Sequence, residues 1–227
     1  MRPLYKRARR EVREIRAKTI SSRVIQRPGE AFATHMPILI GLAGIFQSRN
    51  ILELGGGTFS TPALLNEAYF PSVAAVHTVE DDLCWFKTLS EYCKDSDKSR
   101  ISKVSSVSQY IEDIDLSPYD LIFIDDSKTV AERARTIESV LRLARPETIV
   151  AVHDFEVRAY RRCAIKPWRA FDFNVWCPLT GCLTRLGDNN DKLENLRRLL
   201  KRHQSSSPTE LDFWSSLLLR EEGVSLL

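Results

Sequence analysis

The chain has 227 residues, of which 43% are hydrophobic and 28% charged, enough to bury one sizeable core. No apolar run reaches the length needed to cross a bilayer, and the basic N-terminus lacks the apolar stretch of a secretory signal, so a soluble, cytoplasmic protein is expected. The formal charge is only +3, and five cysteines without a C-x-x-C pair argue against a disulfide framework or a structural zinc site.

The charge is unevenly placed. Residues 1–27 carry ten Lys or Arg against Glu11 and Glu14, and Leu4, Ala8, Val12 and Ile15 share one face of a helix. Residues 1–29 are therefore read as a basic N-terminal helical arm. It either docks as a solvated helix on its own domain or meets an anionic partner such as nucleic acid, a lipid headgroup or an acidic glycan. Residues 30–227 are expected to form a single domain, including C-terminal helices. Pro37 opens an apolar helix to Phe46, expected to pack under the first strand.

From Ile51 the pattern alternates. A strand over 51–54 runs into Gly55, Gly56 and Gly57, and Ser60, Thr61 and Pro62 follow in cap-then-proline order, so a helix should start at Pro62. A second strand is expected over 73–79, a helix over about 82–93 and a weaker strand near 101–105. Strands over 119–125 and 148–152 enclose a helix marked by Val130, Ala134, Ile137, Leu141 and Ala144. Strands separated by helices mean a parallel sheet. Phe171–Cys177 and Cys182–Leu186 lie across a link too short for a helical crossover, so they should form an antiparallel hairpin. Helices near 192–203 and from Pro208, with Ser207 and Glu210 at capping-box spacing, end the chain. The fold class expected is α/β: a doubly wound, Rossmann-like, mostly parallel seven-stranded sheet with one antiparallel strand, helices on both faces and extra terminal helices.

Ligands of such sheets bind beyond the C-terminal strand ends. Collected there are Glu53 and the glycines, Glu80, Asp125 with Asp126, and His153 with Asp154. A glycine turn lets backbone approach a ligand closely, and an acid ending the second strand sits where a ribose hydroxyl pair would lie. Each feature also has a plain reading: Asp126 and Ser127 as helix N-caps, Lys128 as a solvated side chain, His153 and Asp154 as loop-closing hydrogen-bond partners, and Trp168, Phe171 and Trp176 as core or lid packing.

On these motifs the chain, over roughly residues 30–186, resembles the class I S-adenosylmethionine-dependent methyltransferases, whose first motif is similar to Glu53-x-Gly55-x-Gly57. The run from Tyr119 to Lys128, followed by Ile149 to Asp154, looks most like the small-molecule O-methyltransferase branch, of catechol or sugar-modifying type. The resemblance implies S-adenosyl-L-methionine bound by Glu53, Gly55, Gly56, Gly57, Glu80 and Asp125. It implies Mg2+ or Mn2+ held by Asp125, His153 and Asp154, and a catalytic pair in which Lys128 takes the acceptor proton beside Asp125. It implies a small-molecule or glycan acceptor, and a homodimer is a further expectation. The chain departs from the pattern at Phe59, where many relatives have a third glycine, at Ser105 and Ser106, where an adenine-reading acid is expected, and at His153, where an acid is common. Competing readings are a nucleic-acid methyltransferase using the basic arm, a nicotinamide-dependent oxidoreductase, and a non-catalytic protein that keeps the fold.

Overall fold

The computed structural model describes residues 33–57, 59–126, 129–185 and 187–219. The basic arm and Lys128 lie outside the described residues. In chain order the elements are α1 (Met36–Phe46), β1 (Asn50–Leu54), α2 (Ser60–Leu64), β2 (Ala75–Glu80), α3 (Leu83–Tyr92), β3 (Ser99–Lys103), α4 (Val107–Asp113) and β4 (Leu121–Ile124). They continue with α5 (Val130–Leu143), β5 (Ile149–His153), α6 (Arg158–Cys163), β6 (Arg169–Phe173), β7 (Thr180–Thr184), α7 (Asn190–Arg202) and α8 (Leu211–Leu218).

The strands form one seven-stranded sheet in the order β3-β2-β1-β4-β5-β7-β6. β7 runs antiparallel to both of its neighbours and the other pairs are parallel, as the hairpin reading requires. Strand order reverses between β1 and β4, and the C-terminal side of such a switch point is where ligands of open α/β sheets bind.

Strand periodicity decides which side chains meet which helices. Ile51, Leu121, Phe123, Ile149 and Ala151 join one core with α1, α7 and α8, while Leu52, Leu54, Ile122, Ile124, Val150 and Val152 join another with α4, α5 and α6. His153, two residues beyond Ala151, therefore points to the α1 side. α1 itself is buried from Met36 to Gly44 because it lies between the sheet and the C-terminal helices. Trp214 anchors those helices: its ring meets Trp176 edge-on at 5.3 Å, and its indole N–H donates to the Ser207 carbonyl at 2.8 Å.

Several boundaries differ from the sequence expectation. α2 starts at Ser60 rather than at Pro62, with Phe59 as N-cap, because the Ser60 and Thr61 hydroxyls turn inward to a buried carboxylate. α5 is capped by Thr129, whose hydroxyl accepts from the Glu132 amide at 3.3 Å. Asp126 is 2% exposed and does not serve as the cap. The short helices α4 and α6 carry no signal read from the sequence. α8 begins at Leu211, after a turn in which the Ser207 amide donates to the Glu210 carboxylate.

Candidate functional site

At the end of β1 the chain turns at Gly55, whose φ of +84° is the left-handed region that favours glycine. A Cβ there would lie 2.6 Å from the Asp125 carbonyl oxygen and 2.6 Å from the Asp126 Cα. At Gly56 it would meet Leu89 at 2.4 Å and Thr78 at 2.7 Å. The first two glycines thus let the turn nest against β4 and α3. The Gly55 amide donates to the Val79 carbonyl, and the Asp125 amide to the Leu54 carbonyl, each at 2.9 Å. The Gly56 amide donates to the Glu80 carboxylate at 3.1 Å, and the Asp82 amide to its other oxygen at 2.6 Å. Glu80 thereby holds the turn from the second strand; burial raises its pKa, against these two amide bonds.

Glu53 is placed differently from the sequence expectation of a ligand-facing acid. Its side chain is fully buried and accepts three hydroxyl hydrogen bonds, from Ser60 (2.6 Å), Thr61 (2.7 Å) and Thr78 (2.8 Å). The Thr61 hydroxyl in turn accepts from the Gly57 amide at 3.2 Å. Glu53 therefore shapes the glycine turn from beneath. Burial lifts its pKa from 4.5 to about 7, against the three hydroxyls. A folded-state pKa above the unfolded one means that its stability contribution is complete below about pH 4.5 and is lost as pH rises through about 7. Relative to Glu53→Gln, the protein should lose on the order of a few kcal/mol between pH 5 and 8 in urea melts. A flat difference across that range would show that Glu53 does not titrate there.

Beyond β4 and β5 lies a charged cluster organised by Arg133, on the first turn of α5. The guanidinium pairs with Asp125 at 3.0 Å and with Asp154 at 2.9 Å, and its Nε donates to the Asp126 carbonyl. Asp154, at φ +54°, holds its carboxylate against this cation. Asp126 accepts from Thr136 at 2.6 Å, yet burial raises its pKa to about 6. The other Asp125 oxygen meets His153 Nδ1 at 3.2 Å. Burial opposes charge on both partners, but this bond and the mutual charges prevail, so Asp125 lies below its ordinary pKa and His153 above it.

His153 Nε2 lies 3.2 Å from the Thr34 hydroxyl, which donates to the Pro178 carbonyl at 3.0 Å. The neighbouring His35 was not singled out in the sequence. It is 3% exposed, packs against Phe123 with the rings tilted by 31° and their centres 4.8 Å apart, and meets the His153 ring edge-on at 4.9 Å. Neither of its ring nitrogens has a hydrogen-bond partner. Burial, with the nearby His153 charge, pushes its pKa down to about 3, so the ring is neutral.

The structure thus gathers Gly55, Gly56, Gly57, Glu80 and Asp125 along one rim, with His153 beside Asp125. Glu53 lies beneath the rim. Asp154 does not join the proposed ligand set, because Arg133 occupies the space between it and Asp125. A guanidinium already satisfying both carboxylates is a poor fit to Mg2+ or Mn2+ at Asp125, His153 and Asp154. Trp168 and Trp176 are core residues, and Trp168 donates to the Leu141 carbonyl at 2.6 Å. A separate cavity of about 720 Å3, lined by Glu112, Arg142, Arg162, Lys166 and Trp168 among others, includes none of the residues read as the site.

No family model and no curated protein matches the chain. Solved structures do. A candidate O-methyltransferase from Klebsiella pneumoniae aligns with a TM-score of 0.54 at 18% identity, covering 70% of this chain and 84% of that one. The Podospora anserina methyltransferase PaMTH1, bound to SAH, gives 0.52 at 13% identity over 77% and 95%. Spermidine synthase from Thermotoga maritima gives 0.52 at 12% identity over 74% and 65%. These likenesses show the architecture: the chain has the fold of class I S-adenosylmethionine-dependent methyltransferases, a fold that a spermidine synthase shares.

Proposed function

We propose that this protein binds S-adenosyl-L-methionine at the Gly55–Gly57 turn and transfers its methyl group to a hydroxyl of a small molecule or glycan. The carrying observation is the turn itself, pinned by Glu80 from β2 and backed by Asp125 from β4. Glu80 offers further carboxylate lone pairs toward a ribose diol, and the exposed Leu83 and Trp85, just past Glu80, supply apolar surface beside it. The bound sulfonium carries an electrophilic methyl, so the protein's tasks are to align an acceptor behind it and to remove a proton. In this reading Asp125 and His153, held by Arg133 and Thr34, orient the acceptor hydroxyl. Lys128 is the base in this reading.

The reversed strand β7 favours this reading over a nicotinamide-dependent oxidoreductase, since dinucleotide folds of the 3-2-1-4-5-6 order continue in parallel. A basic arm serving a nucleic-acid acceptor is the second reading of the acceptor, and its residues lie outside those described.

S-adenosylhomocysteine at about 100 times its Kd should stabilise the protein by about 2.7 kcal/mol and raise its melting temperature by roughly 5–10 °C. NADH should leave melting unchanged, and Glu80→Ala should remove the shift. Stabilisation by NADH with none from S-adenosylhomocysteine would overturn the reading. With an acceptor in hand, Lys128→Ala should lower kcat by roughly 100-fold or more while the S-adenosylhomocysteine shift persists. An unchanged kcat would remove Lys128 as base.

A further inference from the structure

The structure assigns a second ligand site beside the cofactor turn: we propose that His35, Asp125 and His153 bind one divalent transition-metal ion of the zinc, iron(II) and cobalt(II) class. One ligand atom from each residue lies within 4.8 Å of the others, which makes this the metal-competent group among the described residues.

Three independent features point to an ion. The first is His35, an imidazole 3% exposed whose two nitrogens are both without a partner. An unsatisfied buried polar atom costs about 1–3 kcal/mol, and a metal bond is one way to remove that cost. The second is spacing. Donors about 2.0–2.2 Å from a shared ion stand roughly 3.0–3.4 Å apart as neighbours and about 4.2 Å when opposite. The 3.2 Å between Asp125 Oδ2 and His153 Nδ1 is such a neighbour edge, and a group contained within 4.8 Å closes on an ion with a shift of well under 1 Å.

The third is the outer support. A metal-bound imidazole ordinarily donates its remaining N–H to an oxygen that fixes the ring, and a ligating carboxylate is itself hydrogen-bonded. Here Thr34 stands at His153 Nε2 and is held in turn by the Pro178 carbonyl, while Arg133 takes the other oxygen of Asp125. Both ligands are oriented before any ion arrives.

Two imidazoles and one carboxylate leave coordination positions open and favour a borderline metal over magnesium, which prefers an all-oxygen shell. The site therefore differs in membership and metal class from a set made of Asp125, His153 and Asp154. Arg133 accounts for the difference: it pairs with Asp154 and with Asp125 Oδ1, leaving Asp125 Oδ2 for the ion. This inference is independent of the cofactor reading.

The test is calorimetric and visible-absorption titration of EDTA-stripped full-length protein with Co2+, followed by Zn2+ competition. One equivalent should bind and be displaced by Zn2+. Mg2+ should do neither. His35→Ala should weaken Co2+ binding at least ~100-fold, and Asp154→Asn by less than ~3-fold. Melting of each variant with S-adenosylhomocysteine reads folding and the cofactor site separately from the metal. Absence of Co2+ binding to the wild type, or wild-type affinity in folded His35→Ala, would overturn the proposal. Loss of binding confined to Asp154→Asn would instead assign the ion to Asp154.

Discussion

Gly55→Ala is expected to destabilise the protein by roughly 2–5 kcal/mol and to abolish its response to S-adenosylhomocysteine. The left-handed backbone at φ +84° costs a residue with a Cβ about 1–2 kcal/mol. The larger obstacle is steric: the added carbon would stand 2.6 Å from the Asp125 carbonyl oxygen and 2.6 Å from the Asp126 Cα, backbone atoms that have no alternative rotamer. Relief requires β1 and β4 to part at their C-terminal ends, with an overpacking cost of about 1–3 kcal/mol. For a chain of this size the combined effect lowers the melting temperature by roughly 5–15 °C. Gly57→Ala is the milder comparison, since φ there is not left-handed and its nearest contact would be a side-chain atom, the Ser60 hydroxyl, at 3.1 Å rather than backbone at 2.6 Å. A Gly55→Ala protein with wild-type melting and an intact ligand shift would show that the turn is not built as described.

Arg133→Met should cost roughly 2–4 kcal/mol, below the full penalty for a buried charge stripped of its partner, because Asp125 and Asp154 keep partial access to water. The substituted side chain keeps the aliphatic bulk but abandons two carboxylates, Asp125 and Asp154, together with the Asp126 carbonyl, at a site where the guanidinium is only 8% exposed. Arg133→Lys should recover part of the loss, because an ammonium restores the charge but cannot reach three acceptors in a planar fork. Chemical denaturation of the three proteins measures this. Equal stability of the Met variant and the wild type would mean that water replaces the guanidinium without cost.

Much of the architecture was legible because buried parallel strands advertise themselves. The runs 51–54, 119–125 and 148–152 are short, apolar and bounded by turn residues, and they fall on β1, β4 and β5 within a residue or two. The hairpin was readable from the shortness of its link. Helices α4 and α6 were not, because seven and six residues leave too little periodicity to register.

The site was legible in its rim and not in its depth. Gly56 and Glu80 meet because their strands are neighbours, which the alternating pattern already implies. Glu53 was misjudged for a reason visible afterwards: it shares the face of Ile51, and the hydroxyls of Ser60 and Thr61 are the donors that a buried carboxylate needs. His35 is a different case. Its partnership rests on contacts such as that between Thr34 and His153, which are 119 residues apart in the chain, and nothing local distinguishes it from any other histidine before a helix. Arg133 shares the buried face of α5 with Ile137, Val140 and Leu141, and was hidden because an arginine in a helix ordinarily carries its charge to water.

The docking of the C-terminal helices has an implication for biogenesis. His35 precedes α1, and α1 is clamped from outside by α7 and α8, with Leu196 pressed so closely on Gly41 that a Cβ there would lie 2.5 Å from it. A nascent polypeptide can therefore build its sheet and glycine turn on the ribosome while the wall carrying His35 still lacks a backing. That wall is backed only after residues near 218 have emerged, so the arrangement around His35 is completed late in synthesis.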